Sequence, residues 1–306
     1  MTESSHLQWA GEGLWARLEP LLPGLSVEIV ARTDSTNTQL LERARLSGGR
    51  RDQPISSPMP LDPLGPRALS VQEPTPFGRR AGDTQPCLLV AEHQTRGRGR
   101  QGRLWQGSAG ASLTFSLAVA LQPSDWSGLS LAVGVALADA LEPQPPADGP
   151  RIGLKWPNDL WLMDGPGQGR KLGGVLIETV AVGSQRMAVV GVGLNVKPQA
   201  TRELTSGYAS LQELQPDADA PAALHQVAEP LVRALLQFSR EGFGAFLERY
   251  NRRDLLLGRT LTTTAPSVPS GTGDGVAPDG ALRVRTDGDV HLIASAEVSV
   301  RPDAAS

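Results

Sequence analysis

Two apolar runs separated by a short, densely basic glycine loop constrain this chain more than any other feature. Leu88 to Ala91 has the length and composition of a buried strand, and Ser112 to Leu121 reads as a longer one. Between them stands Gly97-Arg98-Gly99-Arg100-Gln101-Gly102-Arg103, with Trp105 close behind. Alternating glycines let backbone approach a ligand and turn consecutive N–H groups towards an anion. Interleaved arginines add forked donors suited to carboxylate or phosphate, and Trp105 offers a face for a planar ring. Arg-Gly runs also occur in disordered RNA-binding tails, but this one is fastened at both ends to strands that must pack in a core.

The charge distribution points the same way. The 306-residue chain carries a net charge of −3, yet no acidic residue occurs from His93 to Ser124. An acidic protein with one concentrated basic loop suits a small anion better than a polyanion, and generic nucleic-acid binding is disfavoured. Of 29 basic residues only Lys155, Lys171 and Lys197 are lysines. Where arginine is so strongly preferred, a retained lysine marks a place that needs a compact, mobile ammonium. Cys87 is the single cysteine, which excludes an internal disulfide and a thiolate cage for a metal. The N-terminus lacks the pattern of a signal peptide and no apolar run approaches the ~20 residues of a membrane span, so a cytoplasmic protein without membrane contact is expected.

Along the chain, Leu7 to Leu22 reads as an amphipathic helix, Leu25 to Ala31 as a strand, and Ser35, Thr36 and Asn37 as caps for a second helix reaching about Leu46. Residues 48–86 are rich in proline and glycine and read as an insertion or mobile loop. Leu129 to Leu141 is a small-residue apolar helix. Strands are expected at Ile152–Trp156, Leu160–Met163, Gly174–Val180 and Met187–Leu194, with a hairpin turn at Asp164–Gly169. Helices at about Ala222–Ser239 and Gly242–Arg252 follow. From Leu257 onward short Thr- and Val-rich strands alternate with Gly, Asp and Pro turns. An α/β (α+β) catalytic domain over residues 1–255 and a small all-β domain over 256–306 are therefore expected.

Three further segments carry chemical potential. Lys155-Trp156-Pro157-Asn158-Asp159 closes a strand with a cation for phosphates, an amide that can read a base edge and a carboxylate able to ligate Mg²⁺. Lys171-Leu172-Gly173-Gly174 sets an ammonium beside two glycines. Gly191-Val192-Gly193-Leu194-Asn195 places glycines inside a strand, a sign of close approach by a ligand, and ends on a second amide. Each segment alone also suits an ordinary strand end or hairpin.

Taken in order, with Asp34-Ser35-Thr36-Asn37 ahead of them, these segments resemble the biotin–protein ligase (biotin–acetyl-CoA-carboxylase ligase) family, over roughly Val30 to Arg301 without the 48–86 insertion. The resemblance implies a mixed-sheet, class II synthetase-like catalytic domain followed by an SH3-like β domain. It implies that biotin and Mg·ATP form biotinyl-5′-AMP and pyrophosphate, after which a lysine of a biotin carboxyl carrier protein displaces AMP. Under it, Ser35, Thr36, Asn37 and Gln94 bind biotin. Arg98, Gly99 and Arg100 fold over biotin and the acyl-phosphate. Arg100, Arg103 and Lys155 neutralise phosphates, while Trp105, Asn158 and Asn195 contact adenine. Asp159 holds Mg²⁺ or the phosphates, and Lys171 bridges the biotin carboxylate and the α-phosphate. The loop is expected to be mobile when empty and ordered when filled.

The chain departs from part of that family in having no N-terminal helix-turn-helix, so a ligase without DNA binding is expected, as monomer or homodimer. A lipoate or octanoate ligase of the same fold is expected to carry an Arg-Arg-Ser-Gly-Gly-Gly type of loop in place of Gly97–Arg103. A biotin or nucleotide sensor would bind without turnover.

Overall fold

A computed structural model describes residues 7–48, 84–165, 168–199, 207–294 and 300–302. Most of the 48–86 insertion, residues 49–83, lies outside the described residues.

Seven strands form a mixed sheet: β1 (Ser26–Thr33), β2 (Cys87–Gln94), β3 (Ser112–Ala120), β4 (Ile152–Lys155), β5 (Asp159–Gly165), β6 (Gln168–Val182) and β7 (Gln185–Asn195). Their spatial order is β1-β2-β3-β7-β6-β5-β4. β1 and β2 run parallel and every other neighbouring pair is antiparallel. Five more strands, β8 (Thr260–Thr263), β9 (Ser270–Val276), β10 (Leu282–Thr286), β11 (Asp289–Ile293) and β12 (Val300–Pro302), make a separate antiparallel sheet in the order β11-β10-β9-β8-β12. The mixed α/β sheet with a small β unit behind it agrees with the expected fold class.

Helices cover both faces of the large sheet. α3 (Leu129–Leu141) and α4 (Ala220–Glu241) pack together on one face over Leu113, Phe115, Leu117, Val190 and Val192. α2 (Thr36–Gly48) lies on the other, where Leu40, Leu41 and Ala44 meet Leu89, Ala118, Met187 and Val189. β3 shows why the faces differ. Alternate residues of a strand point to opposite sides, so Leu113, Phe115, Leu117 and Val119 go to the large core. Ser112, Thr114, Ser116 and Ala118 go to the α2 side.

Helix ends depart from the periodicity where local chemistry intervenes. α1 spans Gly11–Leu18 in place of Leu7 to Leu22, because Pro20 and Pro23 cannot continue it. Leu21 and Leu22 instead turn back, their N–H groups donating to Leu18 O. The helix expected at Gly242–Arg252 is split into a 3-10 turn at Phe243–Phe246 and a short α5 at Leu247–Asn251. The two sheets are tied together at Trp156, which is buried and donates from Nε1 to Gly280 O at 3.1 Å.

Candidate active site

On the α2 side the sheet changes character along its strands. Beyond the apolar patch under Leu40 and Leu41, the register sets Ser116 opposite Gly191, Thr114 opposite Gly193 and Ser112 opposite Asn195. One strand further, Gly174 faces Gly193 and Leu176 faces Gly191, and Asp159 on β5 faces Gly174. Small and polar residues on four adjacent strands thus make a shallow trough. Two walls rise from it, the N-terminus of α2 and the loop after β2.

The α2 wall is a closed hydrogen-bond system. Asp34 Oδ1 accepts from the Ser35 N–H at 2.7 Å and from Gln39 and Thr33. Burial would raise this carboxyl, but those bonds outweigh it and hold it below the usual range. Ser35 Oγ accepts from the Thr38 N–H at 3.4 Å, an N-cap bond. The Thr36 N–H donates to Gln94 Oε1 at 2.7 Å. Ser116 Oγ lies 2.6 Å from both Thr36 Oγ1 and Asn37 Oδ1. Asn37 Oδ1 can only accept, so Ser116 donates there and receives the Thr36 hydroxyl. Asn37 Nδ2 donates to Leu176 O at 3.2 Å and Glu178 Oε2 at 3.0 Å, which uses both amide hydrogens inside the protein. Ser35, Thr36 and Asn37 are all buried.

The glycine loop is a short flap. Its base is closed by Trp105 N–H donating to Gly97 O at 2.9 Å and Gly99 N–H donating to Arg103 O at 2.7 Å, with Gln101 and Gly102 left-handed at the tip. Its arginines diverge. Arg98 donates to Glu178 Oε1 at 2.9 Å and Thr38 Oγ1 at 3.4 Å on the α2 side. Arg100 reaches the opposite side, donating to Asn158 Oδ1 at 3.4 Å. Burial, with Arg103 alongside, draws the Arg100 guanidinium below the usual arginine range against the pull of Asp159. These contacts tie the flap to both sides of the trough.

The far corner is ionic. Lys171 Nζ donates to Asp159 Oδ1 at 2.7 Å, both side chains being partly exposed. A Cβ added to Gly174 would lie 3.1 Å from that carboxylate oxygen and 3.6 Å from Lys171 Nζ, so the glycine makes room for the pair. Asn158 is fixed by its Nδ2 donating to Val175 O at 2.9 Å. Asn195 Nδ2 donates to Lys171 O at 3.1 Å, anchoring the lysine's backbone. Lys155 Nζ sits 5.1 Å from the centre of the Trp161 ring, and Trp161 is paired with Lys171 across β5 and β6.

The strand glycines admit close neighbours, but those neighbours belong to the protein itself. A Cβ at Gly191 would come within 2.2 Å of Asn37 Oδ1, and one at Gly193 within 2.5 Å of the Trp105 ring. Trp105 therefore lies on Gly193, with its Nε1 buried and, among the described residues, without a hydrogen-bond partner. The structure gathers Ser35, Thr36, Asn37, Gln94 and Arg98 at one end. Arg100, Lys155, Asn158, Asp159, Lys171 and Asn195 gather at the other, and Arg103 stays on the exposed side of the flap. Residues not anticipated are Ser116, Glu178 and Arg170. Arg170 pairs with Asp164 and Glu213 and donates to Tyr208 O, holding the 207–213 segment beside Lys171. The alternation Ser112, Thr114, Ser116 within an apolar strand is the signal that could have found Ser116. Among the described residues no cluster of three or more His, Cys, Asp or Glu side chains could hold a metal.

Known proteins resemble this chain in sequence and in fold. Residues 79–195 match the model of the biotin/lipoate A/B protein ligase family. The bifunctional ligase/repressor BirA of Salmonella typhimurium is 33% identical over 228 residues, covering 72% of this chain and 68% of that protein. The biotin–[acetyl-CoA-carboxylase] ligase of Mycobacterium tuberculosis is 32% identical over 249 residues, covering 78% and 75%. Among solved structures, the Aquifex aeolicus biotin protein ligase in complex with biotin and ATP superposes with a TM-score of 0.63 at 24% identity, covering 91% of this chain and 99% of that one. With relatives of that identity and coverage, this chain belongs to the biotin/lipoate A/B protein ligase family, on its biotin–protein ligase branch.

Proposed function

We propose that the chain is an ATP-dependent biotin–protein ligase acting on a lysine of a biotin carboxyl carrier protein; two of its relatives are named biotin–[acetyl-CoA-carboxylase] ligases. The observation that carries this reading is the two-ended trough. An end built as a closed hydrogen-bond network and an ionic end rich in cations are bridged by one arginine flap.

The reaction needs two anions to meet. A biotin carboxylate oxygen attacks the α-phosphorus of ATP, the bond to the β-phosphate oxygen breaks, and pyrophosphate leaves. Positioning and cations aimed at the developing charge supply most of the catalysis in such a step. Lys171 stands at the meeting point. Its ammonium can swing from Asp159 to an oxygen shared between carboxylate and α-phosphate, because it is a point charge on a flexible stem. Arg100, Arg103 and Lys155 balance the phosphates, while Trp105 and Asn158 flank the base. Asn195 acts chiefly by holding Lys171's backbone. In the second half-reaction the carrier's ε-amine attacks the acyl carbon, AMP leaves, and an amide forms.

Biotin's ring system belongs at the α2 end. Ser35, Thr36 and Gln94 present polar atoms there, and Asn37, engaged with Ser116 and Glu178, keeps the wall in shape. A single carboxylate, Asp159, suits Mg²⁺ that arrives on the phosphates of ATP better than a resident ion. Magnesium so held would neutralise phosphate charge.

No helix among the described residues is long and apolar enough to cross a membrane. We place the protein in the cytoplasm, as monomer or homodimer without DNA binding. Residues 1–255 are taken as the catalytic unit and 256–306 as the small β unit. Incubating the purified protein with a carrier domain, ATP and either biotin or lipoate tests the reading. Carrier labelling with biotin alone is expected; labelling with lipoate alone would move the protein to the other branch of the family.

A further inference from the structure

We propose that Glu178 is a positioning residue that moors the Gly97–Trp105 flap over the biotin end of the trough, acting through Arg98. The inference rests on the ligase reading for what lies beneath the flap.

Glu178 uses its two carboxylate oxygens for two different elements. Oε1 accepts from Arg98 on the flap at 2.9 Å, and Oε2 accepts from Asn37 on α2 at 3.0 Å. An ion pair fully in water would mean little. This carboxylate is only a quarter exposed, against 45% for the Arg98 side chain, and it is held from behind by an amide that is itself buried. Behind Asn37 the bonds continue through Ser116 and Thr36 to Gln94. Gln94 ends β2 at the root of the flap, and Arg98 lies on the flap, so Glu178 closes a ring of hydrogen bonds that starts and finishes on the same loop. Without it Arg98 would lose its carboxylate partner, and Asn37 would lose one acceptor.

The geometry also divides labour between the arginines. Gly174, Leu176 and Glu178 share one face of β6, so Glu178 lies about 13 Å along the strand from Gly174 and the Lys171–Asp159 pair beside it. Arg98 is thereby stationed at the biotin end, whereas Arg100 serves the phosphate corner. The mooring should govern biotin binding and leave the chemical step alone.

The test uses Glu178→Gln, which keeps the shape but cannot accept from both donors, Arg98→Gln, and the double variant. Steady-state pyrophosphate release gives KM for biotin, KM for ATP and kcat. Trypsin cutting after Arg100 and Arg103 in the ligand-free protein gives the state of the flap. Each single variant is expected to raise the biotin KM about tenfold, to leave kcat and the ATP KM within about twofold, and to add nothing further in the double variant. Both singles should be cut faster than the parent. Multiplied effects in the double variant, a fall in kcat at unchanged biotin KM, or an Arg98→Gln flap cut as slowly as the parent would each overturn the proposal. Arg98 is half-exposed, so its variant decides the matter even where Glu178→Gln folds poorly. A parent that releases no pyrophosphate with biotin would sink the ligase reading, while the tryptic comparison would still decide the mooring.

Discussion

The two ends of the trough solve different problems with different materials. At the α2 end Thr36, Asn37, Ser116 and Gln94 are neutral and bonded to one another, so the shape of the wall rests on contacts within the protein. At the far end Lys171, Asp159, Arg100 and Lys155 are charged, partly exposed, and held by contacts that a phosphate can replace. Neutral bonds to fixed neighbours select a shape, and mobile cations wait for charge. The flap joins the two regimes by sending Arg98 to one and Arg100 to the other.

The difference predicts separable kinetics. The largest effect is expected at the ionic end: Lys171→Arg keeps the charge but replaces a compact ammonium beside Gly174 with a planar fork, and should cut kcat for adenylation at least about a hundredfold. Adenylation by that variant at the parental rate would remove Lys171 from the chemistry. Ser116→Ala should act at the other end. It deprives Asn37 Oδ1 of its donor in a buried site, costing about 1–2 kcal/mol of stability in denaturant unfolding, and should raise the biotin KM well before the ATP KM. Equal changes in both KM values would erase the distinction between the ends.

An effect away from the trough, on stability alone, concerns carboxylates. Asp159 has Lys171 as its partner, whereas Asp254, where the chain passes from α5 towards the second sheet, has a buried Oδ2 that, like the nearby Tyr250 hydroxyl, finds no hydrogen-bond partner among the described residues. Burial pushes the Asp254 carboxyl up to about 6, against backbone bonds from Leu256 and Leu257. The folded protein thus holds this proton more tightly than the unfolded chain. Its stabilising share is complete below about pH 4 and is lost as pH rises through about 6. Asp254→Asn should therefore be more stable than the parent at pH 7.5, by on the order of 2 kcal/mol, with the gap closing near pH 4. A gap that is constant across that range would show that Asp254 does not titrate there.

Much of this was legible in the sequence where one local rule operated alone. The apolar run Leu129–Leu141 became a helix over the same residues, and the Gly97–Arg103 loop stands between the two strands its flanks implied. Helix ends were less legible, because Pro20 and Gly242 act on backbone geometry against the periodicity around them. The strand glycines illustrate a deeper limit. Gly191 and Gly193 do signal close approach, but nothing local distinguishes a ligand from Asn37 and Trp105, which come from distant parts of the chain. Glu178 was illegible for a related reason. It is one acidic residue on a long strand, and its meaning comes from Arg98 and Asn37, 80 and 141 positions away.

The measurement that bears most directly on the two-ended trough is ATP–pyrophosphate exchange by the purified protein, with and without biotin and in the absence of any carrier. The account predicts exchange that requires biotin, is nearly abolished in Lys171→Arg and is restored in Ser116→Ala by raising biotin. Exchange that proceeds without biotin, or that lipoate supports equally well, would contradict it.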